Sequence, residues 1–160
     1  MNKNLIPDVM VVKIPEFRAV TSGLAPFDEV FGGFGSWMES SQHLFKAVIF
    51  DCPDFLMGKD GKAEWVWGIK DDVTEADTAP YKITVFHGGL YAVAVSIDGD
   101  GESHNAVRTK MDKWLENTGF AEDFNRMKMG HVIYHDEEIE KGLGYTQMNL
   151  YLPIKLKSAR

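Results

Sequence analysis

The chain has 160 residues, a formal net charge of -7 and 44% hydrophobic residues. That length suits one domain, and the acidic balance excludes a general nucleic-acid binder, which needs a basic surface against phosphates. The lone cysteine, Cys52, excludes an intrachain disulfide, and no segment reaches the ~20 apolar residues of a membrane helix. The N-terminal stretch lacks a long apolar run before a small-residue cleavage site, so the expectation is a cytoplasmic protein.

In chain order, "VMVVKIPEFRAVTSG" (Val9 to Gly23) is rich in valine and reads as a strand, with Pro15 marking a bulge, bend or edge. In "FDEVFGGFGSWMES", Phe27, Val30, Phe31, Phe34 and Met38 recur at helical spacing, which predicts a helix. Its glycines either permit close packing on a sheet or break it. "LFKAVIFD" reads as a strand that "CPDF" stops. "MGKDGK" supplies a hairpin turn at Asp60-Gly61, and "AEWVWGIK" is the next strand. The acidic stretch "DDVTEADTAP" has no periodicity and reads as a connector.

The second half runs in the same order. "YKITVFHGGLYAVAVSI" is one long strand, or two separated by His87-Gly88-Gly89. "DGDGES" is a turn into a helix whose stripe is Val107, Met111, Trp114 and Leu115. "GHVIYHD" and "YTQMNLYLPIK" are the last two strands. Each half thus reads strand, helix, strand, strand. Short echoes support a duplication: "VIFD" with "VIYH", and "WGIK" with "LPIK". Two such units packed about a pseudo-twofold axis make an α+β domain. The sheet is then largely antiparallel, with helices on one face and a cleft between the halves. The repeat units span about 9–70 and 81–155, joined by a linker at 71–80, in a single domain over 1–160.

The order of "GGLYAVAV", "KWLENTG", "VIYHD" and "NLYLPIK" resembles the GyrI-like small-molecule-binding family. "VIFDCPDF" and "WVWGIK" in the first half extend the resemblance over nearly the whole chain. The resemblance implies a ligand cleft at the junction of two strand-helix-strand-strand units. It also implies relation to the effector-binding halves of AraC-type and MerR-type regulators, which bind lipophilic, often cationic compounds. Solitary relatives include a gyrase-inhibiting protein and hydrolases of cyclopropane-bearing natural products. Many relatives carry a glutamate two residues before the aromatic of the last strand. Here that position is Asn149, before Tyr151. An asparagine supplies neither negative charge nor a general base. The repeat aligns Asn149 with Glu64, which makes Glu64 the candidate carboxylate.

Alternation along a strand places Glu64 and Val66 on one face and Trp65 and Trp67 on the other. With the tryptophans packed under the helices, Glu64 and Val66 face the cleft, as do Asn149 and Tyr151. Glu64 facing solvent is the alternative. Phe50 and Tyr134 are either opposing cleft walls or interior packing. Tyr91 is a cleft residue or a sheet filler, the resemblance favouring the cleft, and Trp37, off the helical stripe, either closes the cleft or joins the core. The candidate ligand-binding set is therefore Glu64, Val66, Phe50, Tyr91, Tyr134, Asn149, Tyr151 and Trp37. No cofactor or metal is expected. His131 and His135 on a strand stand ~13 Å apart, too far to share an ion. "DGDGES" lacks the glycine and glutamate of a calcium loop. Cys52, followed by proline, has no identifiable base.

The first reading is binding of a lipophilic, cationic or aromatic small molecule. The second is hydrolysis of a strained electrophilic natural product by a Glu/Tyr pair. The third is a protein-interaction module, such as a topoisomerase inhibitor. Long edge strands leave open a homodimer or a partner protein.

Overall fold

The computed structural model describes residues 8–49, 52–132 and 137–158. Ten strands form one sheet, in the order β1-β7-β10-β9-β4-β5-β2-β6. The strands are β1 (Met10–Ile14), β2 (Phe17–Thr21), β3 (Ala25–Pro26), β4 (Asp54–Lys59), β5 (Lys62–Gly68), β6 (Lys82–Phe86), β7 (Gly89–Ile97), β8 (Phe120–Glu122), β9 (Lys128–Val132) and β10 (Gln147–Leu156). β3 joins at β5 and β8 at β10, and every pairing is antiparallel.

The two halves repeat one arrangement. β4-β5-β2 in the first corresponds to β9-β10-β7 in the second, and β4 and β9 adjoin at the centre, with Leu56 opposite Gly130. This is the expected α+β architecture. "WGIK" and "LPIK" hold like positions: Ile69 bridges Phe45, as Ile154 pairs with Glu122. "VIFD" and "VIYH" differ at their first residues, which are described. Val48 lies outside any strand, whereas Val132 ends β9.

The sheet curls because one ladder belongs to both its ends. β1 pairs with β7 and β2 with β6 in one running register: Met10 opposite Val93, Ile14 opposite Gly89, Phe17 opposite Phe86, Thr21 opposite Lys82. Pro15-Glu16 and His87-Gly88 interrupt both chains at the same level. The valine-rich stretch and "YKITVFHGGLYAVAVSI" are therefore each two strands. Gly88 sits at φ +68, where a Cβ would run into the carbonyl oxygens of Ile14 and Pro15.

The predicted first helix forms as α1 (Phe27–Glu29), a π-helical turn (Val30–Gly35) and α2 (Ser36–Ser40). Its glycines lie in the π-helical turn, where Gly35 rests against Trp65. Val30, Phe34 and Met38 are buried as the stripe requires, while Phe27 and Phe31 stay exposed. The connector is not structureless. It holds α3 (Glu75–Thr78), whose Thr74 and Asp77 form a capping box. Asp100 caps α4 (Gly101–Glu116), accepting from the amides of Glu102 and Ser103. A further helix, α5 (Glu137–Leu143), precedes β10.

Residues 44–49, the described part of "LFKAVIFD", do not form a strand. Gln42–Leu44 is a 3-10 turn, and beyond it only isolated bridges form. The backbone arches over Gly68, where a Cβ would collide with Val48 and the Lys46 carbonyl. The strand begins instead after Pro53, at Asp54, within the stretch expected to stop it.

Both helical segments cover the same face. Phe34 and Met38 pack on Val20, Trp67 and Ile69, and Met111 of α4 packs on Ala92, Ala94, Leu152 and Ile154. The other, inner face carries a third core, which includes Phe55, Val66, Tyr91 and Tyr151. No helix among the described residues is long and apolar enough to cross a membrane.

Gly88→Ala is expected to cost about 2–4 kcal/mol in urea unfolding, from left-handed strain plus the carbonyl collision. Gly99→Ala, with a similar φ of +72 and open space around it, is expected to cost only about 1 kcal/mol.

Candidate functional site

The inner face is an aromatic surface drawn from both halves. Tyr91 comes from β7, Tyr151 from β10, Phe55 from β4, and Phe17 and Phe86 from the paired β2 and β6. The rings touch in series: Phe17 on Phe86 at 4.8 Å, Phe86 on Phe55 at 5.5 Å, Phe55 edge-on to Tyr151 at 5.4 Å, Tyr151 edge-on to Tyr91 at 6.2 Å. Met57 and Met129 meet across the central β4–β9 pairing and fill the space beside these rings. Thioethers adapt their shape and favour aromatic neighbours.

Glu64 lies on this face, directly across from Met57. It is half-buried, and its carboxylate accepts a hydrogen bond from the Thr21 hydroxyl at 2.7 Å. The same hydroxyl accepts from the Gly23 amide at 2.9 Å, so its proton is directed at Glu64. Asn149 is buried on β10 and hydrogen-bonds with Tyr151. Burial pushes the Tyr151 hydroxyl up to about 12, with the Asn149 contact opposing that rise. Burial also raises Tyr91, opposed by the nearby Arg126 guanidinium.

Among the expected site residues, Val66, Tyr91 and Tyr151 share the inner cluster. Glu64 and Asn149 border it on β5 and β10. Trp37 is on the opposite face, packed with Phe34, Phe45 and Tyr81. It follows the helix it sits on, and that helix covers the outer face. Phe50 and Tyr134 lie outside the described residues. Sequence reasoning missed Phe17, Phe86, Met57 and Met129 as inner-face groups, and with them Arg126. The signal for Phe17 and Phe86 was the "PEF" and "VFHGG" pair of interruptions, which mark facing breaks in one ladder.

The buried carboxylate of Asp54 is a different matter. It begins β4 across from Trp67, beside the helix-covered core. It accepts from Trp65 Nε1 at 2.8 Å and from Cys52 Sγ at 3.3 Å. Burial nonetheless raises it from 3.8 to about 6. A separate hollow of about 420 Å³ opens near Glu16, Arg18, Lys46 and Asp71. Its charged groups are already engaged: Arg18 donates to the carbonyls of Lys70, Asp71 and Val73, and Lys46 lies 3.7 Å from Asp71. Among the described residues no group of three His, Cys, Asp or Glu side chains is placed to hold a metal ion.

No protein-family model matches the chain, and no curated protein matches it in sequence. Solved structures do match in shape. The C-terminal domain of EcmrR aligns with a TM-score of 0.68 at 12% identity, over 96% of this chain and all of that one (100%). SAV2435 bound to tetraphenylphosphonium aligns at 0.58 and 11% identity, over 93% of this chain and 94% of the other. A hydrolase from Listeria innocua aligns at 0.63 and 13% identity, over 92% of each chain. The shared property is the fold, a curled antiparallel sheet with few helices. It agrees with the α+β architecture expected from the sequence.

Well below its unfolded pKa of 3.8, Asp54 is neutral in both folded and unfolded chains, and its burial then carries no charge penalty. As pH rises towards about 6 the unfolded carboxylate ionises first, so stability falls, by up to about 3 kcal/mol at neutral pH. Asp54→Asn is expected to remove this dependence. Urea unfolding of both proteins at pH about 4 and about 7.5 checks it: the variant should gain relative to wild type at the higher pH.

Proposed function

We propose that this chain is a small-molecule-binding domain whose ligand is lipophilic and cationic or aromatic, held against the inner face of the sheet. The observation that carries this reading is the continuous ring series from Phe17 to Tyr91 with the Glu64 carboxylate on the same face. Few polar groups set among aromatic walls are the usual make-up of a ligand site. The ring faces supply dispersion and cation–π attraction, and Glu64 supplies the charge that Asn149 lacks. The likeness to SAV2435 bound to tetraphenylphosphonium supports a bulky aromatic cation as the first probe.

The rings fill the face, so a ligand enters by turning side chains aside. Tyr151 and Phe55, in the middle of the series, are the groups that turn. The polarisable Met57 and Met129 beside them make such repacking inexpensive. Hydrolysis by a Glu/Tyr pair has less support. A Tyr151 hydroxyl held near 12 yields its proton reluctantly at neutral pH.

Tetraphenylphosphonium is expected to raise the melting temperature of the wild-type protein, since a ligand of the folded state adds to its stability. Glu64→Gln is expected to weaken its binding about tenfold in isothermal titration, the scale of one half-buried charge contact. Tyr151→Leu is expected to weaken it by a similar factor, about tenfold, through loss of a ring face. Unchanged affinity in both variants, with folding intact, would place the ligand elsewhere.

A further inference from the structure

Arg126 lies just before β9, in the loop that follows β8, and reaches back to the start of β7. Its guanidinium stands over the Tyr91 ring, 4.8 Å from the centroid. Four hydrogen bonds fix it there. Nη2 donates to the carbonyls of Leu90 and Ile154 at 3.0 and 2.9 Å, Nη1 to that of Gly88 at 3.3 Å, and Nε to Asp123 at 2.8 Å. The seat is cut by a glycine. A Cβ on Gly89, which sits at φ +126, would occupy the place of the guanidinium.

The charges around it do not cancel. Asp123 lies between Arg126 and Lys155, at 2.8 and 3.9 Å, so one carboxylate faces two cations and the cluster keeps one net positive charge. The Arg126 side chain is only 26% exposed, which limits how far water screens that charge. An aromatic face that already holds a fixed cation has no second place for another on that side. A second positive group nearby would also be repelled.

We infer that Arg126 is the chain's own occupant of the cation position over Tyr91, and that it orients the ligand. The Tyr91 end of the inner face takes a neutral or anionic group, and a positive group is directed to the Glu64 end. The ligand class this favours is amphiphilic with charge at one end, rather than a cation of uniform charge. This deepens the proposed small-molecule binding and rests on it.

Two probes of equal size and opposite charge, tetraphenylphosphonium and tetraphenylborate, separate the possibilities. Arg126→Gln removes the charge and keeps donors. It is expected to tighten tetraphenylphosphonium about fivefold and to weaken tetraphenylborate about fivefold, while Arg126→Lys keeps the wild-type order. Asp123→Asn, which adds net positive charge, is expected to shift the two ions the opposite way, and it serves if Arg126→Gln does not fold. Affinities that stay fixed, or move in the same direction for both ions, would overturn the orienting role while leaving ligand binding intact. Binding of neither ion, by wild type or variants, would overturn the small-molecule reading and this inference with it.

Discussion

The ladder between residues 10–21 and 82–93 is the constraint on which the rest depends. Its register runs unbroken from Met10 opposite Val93 to Thr21 opposite Lys82. Yet its first part lies at one end of the strand order and its second part at the other. A sheet whose two ends share a continuous chain pair is forced to curve, and an inner face that would otherwise meet water closes on itself. Ile14 and Tyr91 from one end of the order, Phe55 from its middle and Phe86 from the other end are buried together. The left-handed Gly88 is the point that lets both chains turn at one level.

Curvature of this kind has a chemical consequence. It gathers aromatic rings from both halves on one surface while the helices are held to the other. Polar groups that reach the inner face are few and individually restrained: Glu64 by Thr21, Asn149 by Tyr151, Arg126 by three backbone carbonyls and Asp123. Restraint matters for recognition, because a group fixed before a ligand arrives loses little freedom when it binds.

Much of the fold was legible in the chain. Alternation in "AEWVWGIK" correctly sends both tryptophans under the first helix and Val66 to the inner face, since strand period follows from backbone geometry alone. The α4 stripe was equally plain. The strand after the first helix was misplaced, because "LFKAVIFD" has strand composition but arches over Gly68, a tertiary contact that no local pattern records. The candidate site was half legible. Tyr91, Val66 and Tyr151 follow from the repeat and the resemblance. Arg126 could not, because its position over Tyr91 depends on a glycine 37 positions earlier, whose missing Cβ is meaningful only once the loop has folded back.

At the central seam, Leu56 faces Gly130, and Met148 lies over that glycine where a Cβ would otherwise stand. A duplicated unit paired with itself across its own axis meets its copy at equivalent positions. Identical copies would set two leucines or two glycines there, one crowded and the other hollow. The two halves can fit at this line only by having become different. The seam is thus where the record of duplication is erased soonest. The surviving echo of "WGIK" in "LPIK" lies one strand out from it on either side, on β5 and β10, where each copy packs against its own half.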